Sequence, residues 1–267
     1  MIRLAVRVHR RQAELVLAEL LELAPSGVEE VEVSPEVVEY AVYGAPGELP
    51  AVPALRAAAG GAYVDVRSEE IADDWADRWR TFHRPLTIAD RLTVRPPWEP
   101  PARTEIEIVI DPGRAFGTGA HATTALCLEM LLDEKARGSL IDLGCGSGVL
   151  AIVAARLGFE PVLALDHDPV AIEATVENAA RNGVELSARR LDMLREQVPD
   201  AQLVVANVLA GPLMRWAAGQ RTLPSRLILS GLLIGEADEV AAAFARRGLI
   251  ERERRSRGDW AALGLAA

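Results

Sequence analysis

The sequence predicts an α/β protein: a doubly wound, largely parallel sheet with an antiparallel edge strand, preceded by a small α+β unit. Three observations carry this. From residue 140 onward, short apolar runs alternate with stretches whose apolar residues recur at helical spacing, as in strands covered by helices on both faces. The last two runs, near 249–255 and 260–265, have no helix between them and must pair antiparallel at one edge. Residues 1–70 instead show period-two alternation interrupted by two helical stretches.

In the first unit, Ile2 to Val8 alternates as a strand and Gln12 to Leu23 is apolar at helical spacing. Val28 to Val33 and Val37 to Tyr43 read as strands around a Ser34-Pro35 turn. Leu49 to Ala59 reads as a helix stopped by Gly60-Gly61, and Ala62 to Val66 as the closing strand. The order βαββαβ predicts a ferredoxin-like sandwich. Such a fold carries no chemistry by itself, so a recognition role is the natural expectation for residues 1–68.

Residues 69–102 read as a connector. Trp75, Trp79 and Phe82 fall at i, i+4 and i+7 of a helix over 70–83. Pro85 to Val94 follows, then Arg95-Pro-Pro-Trp-Glu-Pro-Pro101, a proline density that stiffens a linker. The remaining unit, 103–267, opens with a strand over Ile106 to Ile110, a turn at Asp111-Pro112-Gly113 and a glycine-rich loop, Arg114 to Thr124. A helix through Leu126 to Leu132 ends near Gly138, and Leu140 begins the next strand. Helices are then expected over 149–157, 169–181, 212–221 and 236–247, and strands over 161–165, 187–191, 203–206 and 226–230.

The chain has 267 residues and a formal charge of −10, which argues against a nucleic-acid substrate held through phosphate neutralisation; the acidity keeps the protein soluble or, alternatively, attracts a basic partner. No apolar run approaches the ~20 residues that span a bilayer. The N-terminal Met-Ile-Arg-Leu-Ala-Val-Arg-Val lacks a signal peptide's apolar stretch. Cys127 and Cys145 stand in no metal or redox spacing, so no metal site is expected. Together these give the expectation of a cytoplasmic protein with reduced thiols.

Residues 140–148 read Leu-Ile-Asp-Leu-Gly-Cys-Gly-Ser-Gly, a strand running into Gly144, Gly146 and Gly148. Asp166 follows 22 positions after Gly144, at the end of the next strand. A tight glycine turn lets backbone approach a ligand closely, and a carboxylate one strand on accepts hydrogen bonds from ribose hydroxyls. A dinucleotide fingerprint needs G-x-G-x-x-G, but here the third glycine comes one position early and Val149 takes its place. That spacing points to S-adenosylmethionine over NAD, with a ligand-free turn as the alternative. Asp142, Gly144, Gly146, Asp166, Asp192 and Asn207 all fall at carboxyl ends of predicted strands, where open α/β sheets bind ligands. Asp192 has the adenine amine within its expected reach, or else serves an exposed turn. Asp168 before Pro169 reads as a helix cap and Cys145 as packing.

Methyl transfer from a sulfonium needs a positioned nucleophile and excluded water. An amine nucleophile must be neutral, and desolvation lowers its pKa. Asn207, followed by the apolar Val208-Leu209-Ala210, is where a carbonyl acceptor for such an amine is expected. His121 is a second candidate near the amine, or a loop-to-helix structural residue.

Three segments carry a family resemblance: Asp111-Pro-Gly-Arg-Ala-Phe-Gly-Thr-Gly-Ala-His-Ala-Thr-Thr124, Asp142-Leu-Gly-Cys-Gly-Ser-Gly-Val-Leu-Ala151 and Asn207-Val-Leu-Ala-Gly-Pro-Leu213. The chain resembles the bacterial methyltransferases of large-subunit ribosomal protein L-eleven (L11), members of the class I S-adenosylmethionine-dependent fold. The resemblance implies methylation of lysine ε-amines and the N-terminal α-amine of that protein, free or on the ribosome. It also implies that a ferredoxin-like domain recognises the substrate. By motif position Thr124, Gly144, Asp166 and Asn207 correspond to cofactor-contacting residues, and Phe116, Gly117 and Thr118 to the loop that closes over the cofactor. Arg114, Ala122 and His167 depart from the family's usual residues at their positions and leave the implied cofactor site intact. The chain is expected to act as a monomer, with no membrane and no direct nucleic-acid substrate. Two alternatives stay open: a lysine methyltransferase of another protein, and a non-catalytic cofactor-binding, ribosome-associated module.

Overall fold

A computed structural model describes residues 2–23, 28–44, 49–50, 52–70, 84–111 and 121–267. From residue 71 on, the helix expected over 70–83, with Trp75, Trp79 and Phe82, lies outside the described residues, as does the loop bearing Phe116, Gly117 and Thr118. The chain forms two compact units, Met1–Phe82 and His83–Ala267.

The first unit contains β1 (Ile2–His9), α1 (Ala13–Leu23), β2 (Glu29–Ser34), β3 (Val37–Gly44), α2 (Val52–Ala59) and β4 (Tyr63–Glu70). The sheet order is β2-β3-β1-β4 with every pairing antiparallel, as βαββαβ requires of a ferredoxin-like sandwich. Leu4, Val6 and Val8 of β1 are buried, as are Val16, Leu17 and Leu20 of α1 and Leu55 of α2. The alternate residues of β1, Arg3 and Arg7, stand opposite Tyr43 and Glu39 of β3, so this face of the sheet carries charge.

The second unit opens with β5 (Leu86–Ile88), β6 (Leu92–Arg95) and β7 (Ile106–Val109), a three-stranded sheet. This differs from the linker expected through residue 102. β6 pairs in parallel with β7, and a parallel pair needs a crossover. The proline-rich stretch is that crossover, and Arg95 braces it. Its guanidinium donates to Pro96 O at 3.3 Å and Glu99 O at 2.9 Å and pairs with Glu107 at 2.8 Å. Proline supplies stiffness here within one sheet, not between units.

The large sheet contains β8 (Leu140–Leu143), β9 (Val162–Asp166), β10 (Ser187–Arg190), β11 (Leu203–Asn207), β12 (Arg226–Leu233), β13 (Ile250–Arg257) and β14 (Trp260–Ala266). Its order is β10-β9-β8-β11-β12-β14-β13. The first five strands pair in parallel, and the hairpin β13–β14 adds antiparallel at the edge, as expected. The helices are α3 (Ala122–Asp133), α4 (Val149–Arg156), α5 (Pro169–Arg181), α6 (Ala210–Gly219) and α7 (Ala237–Ala245). α6 begins two residues earlier than the sequence suggested. Pro212 falls in its first turn, where its missing N–H has no helical partner to lose. β8 and β11 are buried along nearly their whole length, which is why they read as continuous apolar runs. Trp216 of α6 and Phe244 of α7 pack at 5.8 Å in the core.

The arginines of β13 are mostly paired inside the unit. Arg255 meets Asp133 at 2.7 Å, Arg257 meets Glu129 at 2.5 Å and Arg254 meets Asp238 at 2.7 Å. These pairs clip the basic edge strand to α3 and α7.

Candidate active site

The chain runs outward from β8 through β9 to β10, then returns to place β11 and β12 on the other side. The order reverses between β8 and β11, and a crevice opens at such a switch point beyond the carboxyl ends of the strands. The loops after these two strands are the glycine turn and the Asn207 segment.

Gly144, Gly146 and Gly148 adopt φ of +79°, +53° and +80°, a left-handed run that side chains resist. Gly144 N–H and Cys145 N–H donate to Leu165 O at 2.8 and 3.0 Å. Asp166 secures the next residue: Oδ2 accepts from Gly146 N–H and Oδ1 from Asp168 N–H, both at 3.0 Å. Two carboxylate oxygens offer about four acceptor positions, so capacity for ribose hydroxyls remains after these two bonds. Asp166 therefore has a task legible only in three dimensions: it shapes the glycine turn.

Gly148 caps α4 without a side chain. Asp142, at the end of β8, does that work from a distance, its Oδ2 accepting Ala151 N–H at 3.0 Å. It is fully buried, and its Oδ1 has no protein partner among the described residues. Burial pushes its carboxyl up to about 7, and the nearby Asp166 charge acts in the same direction. A buried oxygen without a partner is a cost the fold would relieve by binding something with a proton to donate. This orphan, the left-handed glycines and the spare capacity of Asp166 fit a nucleoside cofactor with a cationic, hydrogen-bond-donating tail.

Asn207 ends β11 and Thr124 lies in the first turn of α3, 83 residues away. Asn207 Nδ2 donates to Thr124 Oγ1 at 3.2 Å, which turns Oδ1 away from α3. Asn207 Oδ1 takes no protein hydrogen bond among the described residues, so it can accept from an amine. His121 is the N-cap of α3, its Nδ1 accepting Thr123 N–H at 3.4 Å and lying 2.7 Å from Thr123 Oγ1. Its ring meets Trp260 edge-on at 5.0 Å. Burial pushes it down to about 4, so it stays neutral near pH 7. Asp192 accepts Leu194 N–H at 2.9 Å and pairs with Arg195 at 3.3 Å, a local turn one strand beyond Asp166. Burial pushes the Cys145 thiol well up, which suits packing and not nucleophilic attack.

Sequence reading missed α5 as a bracket. Thr175 Oγ1 donates to Gly146 O at 3.1 Å, and Asn178 Nδ2 to Ser147 O at 3.0 Å. Asn178 Oδ1 also accepts Asp111 N–H at 3.0 Å, and Asn182 Oδ1 accepts Val109 N–H at 2.8 Å. One helix face thus fixes both the glycine turn and the end of β7. The signal was present: Thr175, Asn178 and Asn182 recur at helical spacing on the face that must be buried, and buried polar groups are there to bond backbone.

The model of the family described as ribosomal protein L11 methyltransferase (PrmA) matches residues 52–267. A ribosomal protein L11 methyltransferase of Symbiobacterium thermophilum is 40% identical over 197 residues, spanning 72% of this chain and 65% of the relative. One of Azotobacter vinelandii is 43% identical over 198 residues, spanning 71% and 68%. The match thus spans about two thirds of these relatives' length. Among solved structures, ribosomal protein L11 methylase from Lactobacillus delbrueckii subsp. bulgaricus aligns with a TM-score of 0.62 at 27% identity, covering 69% of this chain and 98% of that one.

Proposed function

The chain belongs to the ribosomal protein L11 methyltransferase family, and from that premise we propose that it is an S-adenosylmethionine-dependent N-methyltransferase acting on amines of L11. The observation that carries the chemistry is Asn207, held by Thr124 beside the glycine turn at the switch point of the sheet. The cofactor supplies an activated methyl group when bound. Gly144, Gly146 and Asp166 would hold its nucleoside, with Asp142 behind them, Asp192 at the adenine side and Phe116, Gly117 and Thr118 over it. Asn207 Oδ1 accepts a hydrogen bond from the incoming amine and aims its lone pair. A lysine amine has a pKa of about 10.4 and an α-amine about 8, so the site must desolvate the group to keep it neutral. Neutral His121, with its low pKa, is better suited to shaping this pocket than to carrying the proton away.

Lysine ε-amines and the terminal α-amine are the acceptors in this reading, on L11 free or in the ribosome. The chain works as a monomer in the cytoplasm, and its first unit recognises the substrate. A net charge of −7 over residues 1–82, from 8 basic and 15 acidic side chains, supports a basic partner there. The test is incubation with purified L11 and methyl-labelled cofactor, followed by mass-spectrometric mapping. Lys135 is the sequence's only lysine, so self-labelling at lysine is confined to one site. Label on L11 amines is expected. Label only on other proteins of a whole lysate would move the activity to another substrate, and no label anywhere would leave a binding module. Asn207→Ala should lower kcat by about 10²–10³-fold, as for loss of one transition-state hydrogen bond, while S-adenosylhomocysteine still binds measurably. Turnover close to that of the unsubstituted protein would remove Asn207 from the chemistry.

A further inference from the structure

We propose that Gly231 is a positioning residue for methyl transfer: with Gly144 it forms a slot that grips Val208 and thereby fixes where Asn207 presents its amide. The inference rests on the reading of Asn207 as acceptor for the amine.

Val208 directly follows Asn207, and its N–H donates to Ser230 O at 2.9 Å. Gly231 comes next on β12, at φ +84°, where the β12–β14 register slips between Leu229 and Leu232. A Cβ on Gly231 would lie 2.7 Å from Val208 O, 2.8 Å from its carbonyl carbon and 3.0 Å from its nitrogen. All three are backbone atoms, so no side-chain rotation relieves the clash. On the other side, a Cβ on Gly144 would lie 2.7 Å from Val208 Cγ2. Gly144, just after β8, and Gly231, within β12, are therefore both shaped by one residue, Gly144 against its side chain and Gly231 against its main chain. The slot is itself anchored, because buried Ser230 donates from Oγ to Ala261 O at 2.9 Å. Asn207 is thus held at its side chain by Thr124 and through its neighbour by the two glycines. Backbone displaced at 208 moves the acceptor oxygen, and a misplacement near 1 Å costs about 10²-fold in rate.

The experiment compares the unsubstituted protein, Gly231→Ala, Val208→Ala and Asn207→Ala, with L11 and labelled S-adenosylmethionine as substrates. For each, kcat is divided by the number of sites that bind S-adenosylhomocysteine in calorimetry. Gly231→Ala is expected to lose about 10–100-fold in kcat per site, with the affinity for S-adenosylhomocysteine within about threefold. Val208→Ala, which keeps the backbone contact and loses the wedge on Gly144, should lose several-fold. If Gly231→Ala does not fold, Val208→Ala carries the test. A merely structural role would reduce the number of binding sites and leave kcat per site unchanged, and that result overturns the proposal. So does a kcat loss matched by an equal loss of cofactor affinity. The side-chain amide resonances of Asn207 in isotope-labelled protein read the slot without turnover and should move in Gly231→Ala. Unlabelled L11 with the unsubstituted enzyme would defeat the functional reading, while unmoved Asn207 resonances would defeat this one.

Discussion

In the four-stranded sheet, Glu39 sits mid-strand, 5% exposed, between Arg3 at 2.6 Å and Arg7 at 2.7 Å. In the seven-stranded sheet, the strand middles are apolar and Asp142, Asp166 and Asn207 stand at the strand ends. The difference lies in what each charge has left to give. Burial pushes the Glu39 carboxyl up, and the hydrogen bonds from Arg3 and Arg7 more than reverse it, so it is held below its ordinary range. Both of its oxygens are bonded to arginines, and the pairs hold one sheet face. Tyr43 and Glu29 extend that network with a mutual hydrogen bond. At the carboxyl ends of the large sheet, among the described residues, Asp142 keeps an oxygen without a protein partner and Asn207 keeps its acceptor. A carboxylate neutralised by two arginines makes a sheet face, and polar atoms that no cation neutralises make a site.

Titration gives the largest effects that test this contrast. Asp142 has a folded pKa of about 7 against an ordinary 3.8. Its contribution to stability is present below about pH 4 and lost as pH rises toward 7. His121 has a folded pKa of about 4 against 6.5, so its contribution is present above pH 6.5 and lost as pH falls toward 4. The two offset each other across the same window. His121→Asn, which keeps a capping side chain, should unmask Asp142 as a gain of the order of 4 kcal/mol between pH 7 and 4. Asp142→Asn should unmask His121 as a loss of the order of 3 kcal/mol between pH 6.5 and 4. Urea midpoints measured against pH decide both, and curves that superimpose on the parent would mean these groups are not buried as described.

Glu39→Ala tests the neutralised side. It takes the carboxylate from Arg7 and leaves Arg3 with Glu29 at 3.4 Å and Tyr43 at 3.0 Å, and a cost of about 3 kcal/mol in unfolding is expected. The affinity for S-adenosylhomocysteine should not change, because the site is built within residues 83–267. A parallel loss of affinity would break the division of labour between the units. The smallest effect belongs to the edge. Arg255→Ala removes pairs to Asp133 and Glu253 whose acidic partners are well exposed, and should cost no more than about 1 kcal/mol.

Much of the fold was legible because its signals are local. Glycines at 144, 146 and 148 announce a left-handed turn, and Asp168-Pro169 announces the start of α5. The order βαββαβ carried the first unit. The candidate site was legible to the extent that its residues end strands. What stayed hidden were residues whose partners are distant. Gly231 carries no side chain and no motif, and only its positive φ and the approach of Val208 explain it. Asn182 caps the end of α5, while its amide holds Val109, 73 residues away. The linker expected at 95–101 misled because proline-rich sequence reports stiffness and is silent on whether strands flank it in one sheet.

The sequence by itself determined the element order, the class of sheet and the cofactor-type turn. Those follow from periodicity and from backbone angles that only glycine adopts readily. The tertiary structure alone decided which polar atoms remain to be used. That Asp166 shapes the turn, that Asp142 caps α4 and keeps one oxygen, and that Val208 lies between two glycines are contacts between strand ends far apart in the chain. Hydrogen-bond capacity is spent in space and not along the sequence, so a residue's type gives its capacity and the fold fixes what is left of it.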